Sequence, residues 1–314
     1  MTDEIVEFRN NPYRDCIEPI PPNCTHYSFN SYSDSYSVRI LPQLPDTIID
    51  FYCECNPLIS ITNIPKSVIK ITLRKLSKKF NYNKFPELPL TLKKLTIYDS
   101  DFENCSNELT IKLPDTLEEL SCFHNNLIKL PDILPLSLEE LYCSNNKLNI
   151  LPELPVNLLK LQCSYNKITI IPELPSKLIQ LSASCNIILQ LPILNCSNIE
   201  NVLFCDNNKL TELPELPINI KGLHCYHNKL IYLPQIKHLY IDSIYCQCNN
   251  LTEIPELPDT LRYLKCTNNN ITKLPKLTDI HKALIDVKAF MFDKSVYIVN
   301  DIIFGFDENN SIFG

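Results

Sequence analysis

The phrase Leu-Pro-Glu-Leu-Pro, or a close variant of it, recurs along this 314-residue chain on a period of about 20 residues. Copies stand at 41–45, 85–89, 151–155, 171–175, 213–217 and 254–258. A fixed period of this length marks stacked supersecondary units, none of which can bury its apolar face alone. The chain therefore reads as a solenoid.

The full unit is LxxLxCxxNxLxxLPxLPxx. Its Asn falls at Asn56, Asn125, Asn146, Asn166, Asn186, Asn208, Asn228, Asn249 and Asn269, with spacings of 20 to 22 residues from Asn125 onward. Three longer or degenerate units start near Val68, Leu92 and Leu117, and an eroded one near Cys24 brings the count to about twelve. Within a unit, Leu141 and Cys143 alternate with Tyr142, so two apolar side chains share one face of a short strand and Tyr142 takes the other. Parallel stacking of one strand per unit makes a sheet with a spacing of about 4.8 Å. A unit this short has no room for a strand, two turns and a helix. Pro fixes φ and disfavours helix in the preceding residue, so the LPxLP segment is expected to cross the opposite side as polyproline-like chain.

The pattern resembles the leucine-rich-repeat family, whose LxxLxLxxN/CxL core it matches with Cys at the third apolar position. The match covers roughly residues 24 to 277. The LPxLP closure is similar to the short-repeat subclass found in bacterial effectors and in leucine-rich-repeat proteins of giant viruses. The resemblance implies an α/β-class horseshoe with a parallel β-sheet on the concave face, an extended convex face and little helix. It also implies a non-catalytic scaffold that recognises a host protein, acting in the host cytoplasm if the source is viral. Some effectors of this kind carry a ubiquitin-ligase domain after the repeats; the stretch beyond Leu277 is too short for one, so that activity is not expected. The expected organisation is an N-terminal cap over 1–23, the repeat array over 24–277 and a C-terminal cap over 278–314. In the last, Ile280, Leu284, Ile285 and Val287 suit an irregular unit or short helix, and Val296 to Phe306 reads as a strand or hairpin edge.

Hydrophobic residues make up 45% and charged residues 21% of the chain, too apolar a composition for disorder. Residues 1–23 hold no apolar segment behind a basic start, and no run approaches the length of a membrane span. An intracellular, cytoplasmic protein without a signal peptide or membrane span is expected. The 15 cysteines fit that compartment, because Cys53, Cys122, Cys143, Cys163, Cys205, Cys225, Cys246 and Cys266 fall in one inward column where Ala183 replaces Cys once. That column is expected to be a slot for small apolar groups, holding free thiols in a reducing compartment. No CxxC or HxxxH pairing suggests zinc, and neither metal nor cofactor is expected. The Asn column is expected to be structural: an Asn at the strand exit can donate to and accept from backbone groups of adjacent turns.

Catalytic signatures are missing. Three glycines, Gly222, Gly305 and Gly314, cannot build a phosphate loop, and GxSxG, HExxH and kinase motifs are absent. The best enzymatic or metal candidate is His224 with Tyr226, His227 and Cys248, which lacks a specified third ligand or orienting carboxylate. Residues 66–94 set Lys66, Lys70, Arg74, Lys75, Lys78, Lys79, Lys84, Lys93 and Lys94 against Glu87 alone, although the whole chain carries −7. These basic units make nucleic acid or anionic lipid the alternative partner.

The leading expectation is a protein partner on the concave face. The side chain between the third-layer Leu and the Cys points outward in each unit, and from the fifth unit this row reads Ser121, Tyr142, Gln162, Ser182, Phe204, His224, Tyr245, Lys265. Tyr226 and Tyr263 flank it. Aromatic anchors exposed together are the hallmark of interface hot spots, so Tyr142, Phe204, His224, Tyr226, Tyr245 and Tyr263 are the candidate partner-binding residues.

Overall fold

Every repeat contributes one short strand, as the computed structural model shows across the residues it describes: 7–9, 20–30, 43–54, 60–76, 80, 82–100, 102, 106–194, 199, 202–272, 275, 296–299, 302–306 and 312–313. Asn56, Lys78, Lys79 and the residues Ile280, Leu284, Ile285 and Val287 lie outside them. The chain divides into two compact units, Met1–Lys167 and Ile168–Gly314.

The first unit carries β1 (Glu7–Arg9), β2 (His26–Asn30), β3 (Asp50–Glu54), β4 (Lys70–Arg74), β5 (Lys94–Tyr98), β6 (Glu119–Ser121), β7 (Glu140–Tyr142) and β8 (Lys160–Gln162). Consecutive strands pair in parallel, beginning with β1, which lies in the 1–23 segment and pairs with β2. The second unit carries β9 (Gln180–Ser182), β10 (Val202–Phe204), β11 (Gly222–His224), β12 (Ser243–Tyr245) and β13 (Tyr263–Lys265), again parallel and consecutive. Beyond them β14 (Val296–Val299) and β15 (Ile302–Phe306) form an antiparallel pair that β16 (Ile312–Phe313) extends. Among the described residues the helical content is one 3-10 turn, Tyr82–Lys84. Parallel pairing without hairpins requires the chain to return across the far side after every strand, and the repeat length allows only an extended return.

That return closes with a tight turn. The carbonyl of the last Pro of each phrase accepts from the amide three residues on, as in Leu158 to Pro155 at 3.0 Å, Leu178 to Pro175 at 3.0 Å and Leu261 to Pro258 at 3.1 Å. Pro suits this position because it has no N–H of its own to satisfy. The residue before the turn Leu then adds a bond to the preceding unit: Thr47 to Cys24, Ser67 to Ile48, Thr91 to Val68, Ser137 to Leu117 and Thr260 to Ile241, at 2.6 to 2.9 Å between hydroxyl and carbonyl. This second polar column escaped the sequence reading, although Thr47, Ser67, Thr91, Thr116 and Ser137 repeat at one position.

The core is a stack of like layers. Leu120, Leu141 and Leu161 in the first unit and Leu181, Leu203, Leu223 and Ile244 in the second are fully buried, each over its counterpart. Cys122, Cys143, Cys163, Ala183, Cys205, Cys225 and Cys246 are buried to the same degree, while Cys266 is partly exposed. The cysteines of the described residues are free thiols. Burial pushes Cys122 and Cys163 up to about 12 and holds Cys143, Cys225 and Cys246 well above the ordinary thiol range. One expectation about this column needs correction. In the early strands it holds Phe29, Leu73 and Ile97, in register with Cys53, so the slot is apolar but not restricted to small groups.

The irregular stretch near residue 80 carries aromatic side chains into the core. Phe80, Tyr82 and Phe102 are buried, with Tyr82 stacked on Phe102 at 4.0 Å and edge-on to Phe80 at 4.7 Å between ring centroids. The extra length there feeds an aromatic plug into the core.

Candidate functional site on the exposed sheet face

The strand exit is where the backbone fixes what each repeat can display. The residue before each ladder Asn adopts φ between 53° and 58° at His124, Asn145, Tyr165, Cys185, Asn207, Cys248 and Asn268, and 52° at His227. Such left-handed residues reverse the chain direction and normally carry strain unless Gly, Asn or Asp occupies them. Here the Asn that follows holds the turn. Asn146 Nδ2 donates to the carbonyls of Cys122 and Cys143 at 2.8 and 3.1 Å, and its Oδ1 accepts from Leu127 N–H at 3.0 Å. Asn166 repeats this with Cys143, Cys163 and Leu148, at 3.0 Å each. In the second unit Asn208 bonds Ala183, Cys205 and Ile188, and Asn228, Asn249 and Asn269 do the same in their turns. Asn186 accepts from Ile168 N–H and donates to Ala183, and Asn125 accepts from Ser100 N–H.

With the turns fixed, outward side chains line up by register. In the second unit the row is Ser182, Phe204, His224, Tyr245, Lys265, each paired with the next strand's counterpart. His224 sits between two rings, edge-on to Phe204 at 4.8 Å and tilted against Tyr245 at 4.5 Å. Tyr226 lies 6.4 Å from His224 and edge-on to His227 at 5.7 Å. Tyr263 falls in a different row, paired with Ser243, and is 61% exposed, so register separates it from the contacting rings. Burial lowers the His224 pKa below its ordinary 6.5, against the opposing charge of Asp206. Asp206 itself is buried and accepts from Ser184 Oγ at 2.6 Å and Asn207 Nδ2 at 2.7 Å.

Gly222 belongs to this surface for reasons of space. A Cβ there would sit 2.7 Å from Ser243 Oγ and 2.9 Å from Val202 Cγ2, so the missing side chain lets three neighbouring strands close up beside the rings. Among the described residues no three His, Cys, Asp or Glu side chains form a group able to hold a metal ion, at His224, His227 and Cys248 or elsewhere.

The sheet face of the first unit is built differently. Tyr142 donates to Glu140 at 2.6 Å, Glu140 pairs with Lys160 at 2.8 Å, and these bonds outweigh burial to hold the Glu140 carboxyl below its usual range. The basic stretch 66–94 is partly compensated: Lys70 pairs with Asp50, Arg74 with Glu54 and Asp99, Lys93 with Glu118 and Lys94 with Glu119. Those carboxylates lie outside the stretch in sequence but one strand away in space. Lys66, Lys75 and Lys84 are exposed and stand outside these ion pairs. The sequence reading also missed an aromatic group here, Tyr98 stacked on Phe123 at 5.0 Å with the Arg74 guanidinium 5.1 Å from the Tyr98 ring. Its units are 24 to 25 residues apart in register, which hid the alignment.

Known structures place this architecture. YopM from Yersinia enterocolitica WA-314 superposes with a TM-score of 0.64 at 28% identity, over 84% of this chain. The fold of the chain described here is that of a leucine-rich-repeat solenoid. The leucine-rich effector protein YopM from Yersinia pestis gives a TM-score of 0.55 at 26% identity over 78% of each chain. The functional domain of InlJ from Listeria monocytogenes, which includes a cysteine ladder, gives 0.53 at 20% identity over 79% of this chain and 58% of that one, a likeness of fold alone. The repeat chain described here spans 60% of the length of the Yersinia enterocolitica protein. No family model and no curated protein sequence matches it.

Proposed function

We propose that this leucine-rich-repeat chain is a non-catalytic scaffold that holds a protein partner on the exposed sheet face of β10–β13, centred on Phe204, His224, Tyr226 and Tyr245. The contact of His224 with two rings at 4.8 and 4.5 Å carries the reading. A solvated sheet face gains only about 0.2 to 1 kcal/mol from such a pair, whereas rigid, half-buried rings presented together supply anchor area at little entropic cost. Tyr142 and Tyr263 are secondary contacts in this reading, since neither touches the ring cluster. The Yersinia pestis relative is an effector by name, and a host protein is accordingly the proposed partner.

The test is the double variant Phe204→Ala, Tyr245→Ala, assayed by crosslinking in cells and by thermal melting. Capture of the partner is expected to be lost while the melting temperature falls by about 2 to 8 °C, the equivalent of two ring pairs. Capture at wild-type strength would place the partner elsewhere.

A further inference from the structure

The cations that flank the strands differ between the sheet faces of the two units. On the first unit's sheet face Lys70, Arg74, Lys94 and Lys160 are each matched by a carboxylate from a neighbouring strand. Around the ring row of the second unit the cations have no such match. Lys221 and Arg262 stand immediately before β11 and β13, Lys265 ends the row itself, and Lys209 and Lys229 follow the strand exits of β10 and β11. All five are exposed, and among the described residues none is in an ion pair with a carboxylate. Against them, among the described residues at these strand ends, stand exposed Asp242, just before β12, and Asp206, which is buried and held by Ser184 and Asn207. The rings thus form an uncharged centre bordered by cations on both sides, in a chain whose net charge is −7.

The geometry points to an acidic, extended peptide segment with aromatic or aliphatic anchors as the partner chemistry of this face. Two features select it. An uncompensated cationic border raises encounter rates and affinity for an acidic partner and repels a basic one. An uncharged ring row about 10 Å long from Phe204 to Tyr245 needs apolar side chains to cover it, which a bare polyanion does not have. The inference rests on the sheet-face reading above and adds to it the sign of the partner's charge.

A phage-displayed random dodecapeptide library, panned on the full chain and counter-selected on Phe204→Ala, Tyr245→Ala, tests both parts. Peptides that bind wild type but not the ring variant are expected to be net acidic with an apolar anchor. Synthesised and labelled, they should bind Lys229→Glu, Lys265→Glu about tenfold more weakly by anisotropy, with a charge-reversed control peptide preferring that variant. Lys209→Glu, Arg262→Glu serves as an independent second pair, and an unchanged melting temperature shows that the border variants fold. Ring-dependent peptides that are neutral or basic, or affinities indifferent to both charge reversals, would overturn the acidic partner while leaving the sheet-face site standing. Enriched peptides that bind the ring variant equally well would remove the site and this inference together. A library that yields no ring-dependent peptide, or displacement of the peptides by heparin with equal effect on the ring variant, also overturns it.

Discussion

Replacing Asn146 by Ala removes a side chain that holds two turns at once. Its amide group donates to Cys122 and Cys143 carbonyls at 2.8 and 3.1 Å, with a longer contact of 3.3 Å to Ser144, and its Oδ1 accepts the Leu127 amide at 3.0 Å. Asn146 is 9% exposed and Leu127 and both cysteines are fully buried, so water cannot easily replace these bonds. An unsatisfied buried group costs about 1 to 3 kcal/mol. The N–H carries most of that, because a carbonyl tolerates underuse better than a donor does. A loss of about 2 to 4 kcal/mol is expected. Asn146→Asp should be worse: it keeps the acceptor for Leu127 but points a charged oxygen at two carbonyls in a buried site. Exposed Asn149, three residues on, provides the control, and Asn149→Ala should change stability by less than about 0.5 kcal/mol. Urea unfolding gives the magnitude and amide exchange at Leu127 gives the location. A destabilisation no larger than that of the control, or undiminished protection of the Leu127 amide, would refute the ladder as a source of stability.

Cys143→Ala should be mild, about 1 kcal/mol, since Ala183 already fills the same layer, whereas Cys143→Ser should cost about 1 to 3 kcal/mol by burying an unmatched hydroxyl; urea midpoints of the two variants measure the difference. Thiol titration of the native protein should label the column Cys122 to Cys246 only on unfolding, because raised pKa values suppress the thiolate. The His224 pKa is lowered in the folded chain, so the neutral form is the one folding favours. Its contribution is fully present above the unfolded value of 6.5 and is lost as pH falls through the lower folded value. Urea midpoints should therefore drop as the pH falls through that window, and His224→Phe should flatten the drop; an equal drop in the variant would assign it to other groups.

What the sequence disclosed followed from the repeat itself. Leu141, Cys143 and Leu148 could be placed inward from alternation because an isolated unit has nowhere else to bury them, and the LPxLP phrase ruled out helix on the return path through the chemistry of Pro alone. The outward row containing Phe204, His224 and Tyr245 could be written down for the same reason. Interactions between units were harder to see. Lys70 and Asp50 are 20 residues apart, and Lys94 and Glu119 are 25 apart, so any count over a local window separates partners that stacking places side by side. The Thr and Ser column was overlooked because a single hydroxyl in a turn carries little signal until the carbonyl it reaches is known. The plug of Phe80, Tyr82 and Phe102 arises where the period breaks, and there a repeat-based reading has no register to work from.

The Asn ladder also gives the solenoid a direction. The described ladder Asn residues reach back to an amide of the turn before, and most also take one of its carbonyls, as Asn146 does for Leu127 and Cys122 and Asn228 for Leu210 and Cys205. Among the described ladder bonds, the Leu amide of a turn is satisfied by the Asn of its successor. Synthesis proceeds in the same direction, N-terminus first. A growing chain of this design carries one open turn at its leading edge, and the group that closes it emerges about one repeat later, so assembly can follow translation turn by turn with a single advancing boundary.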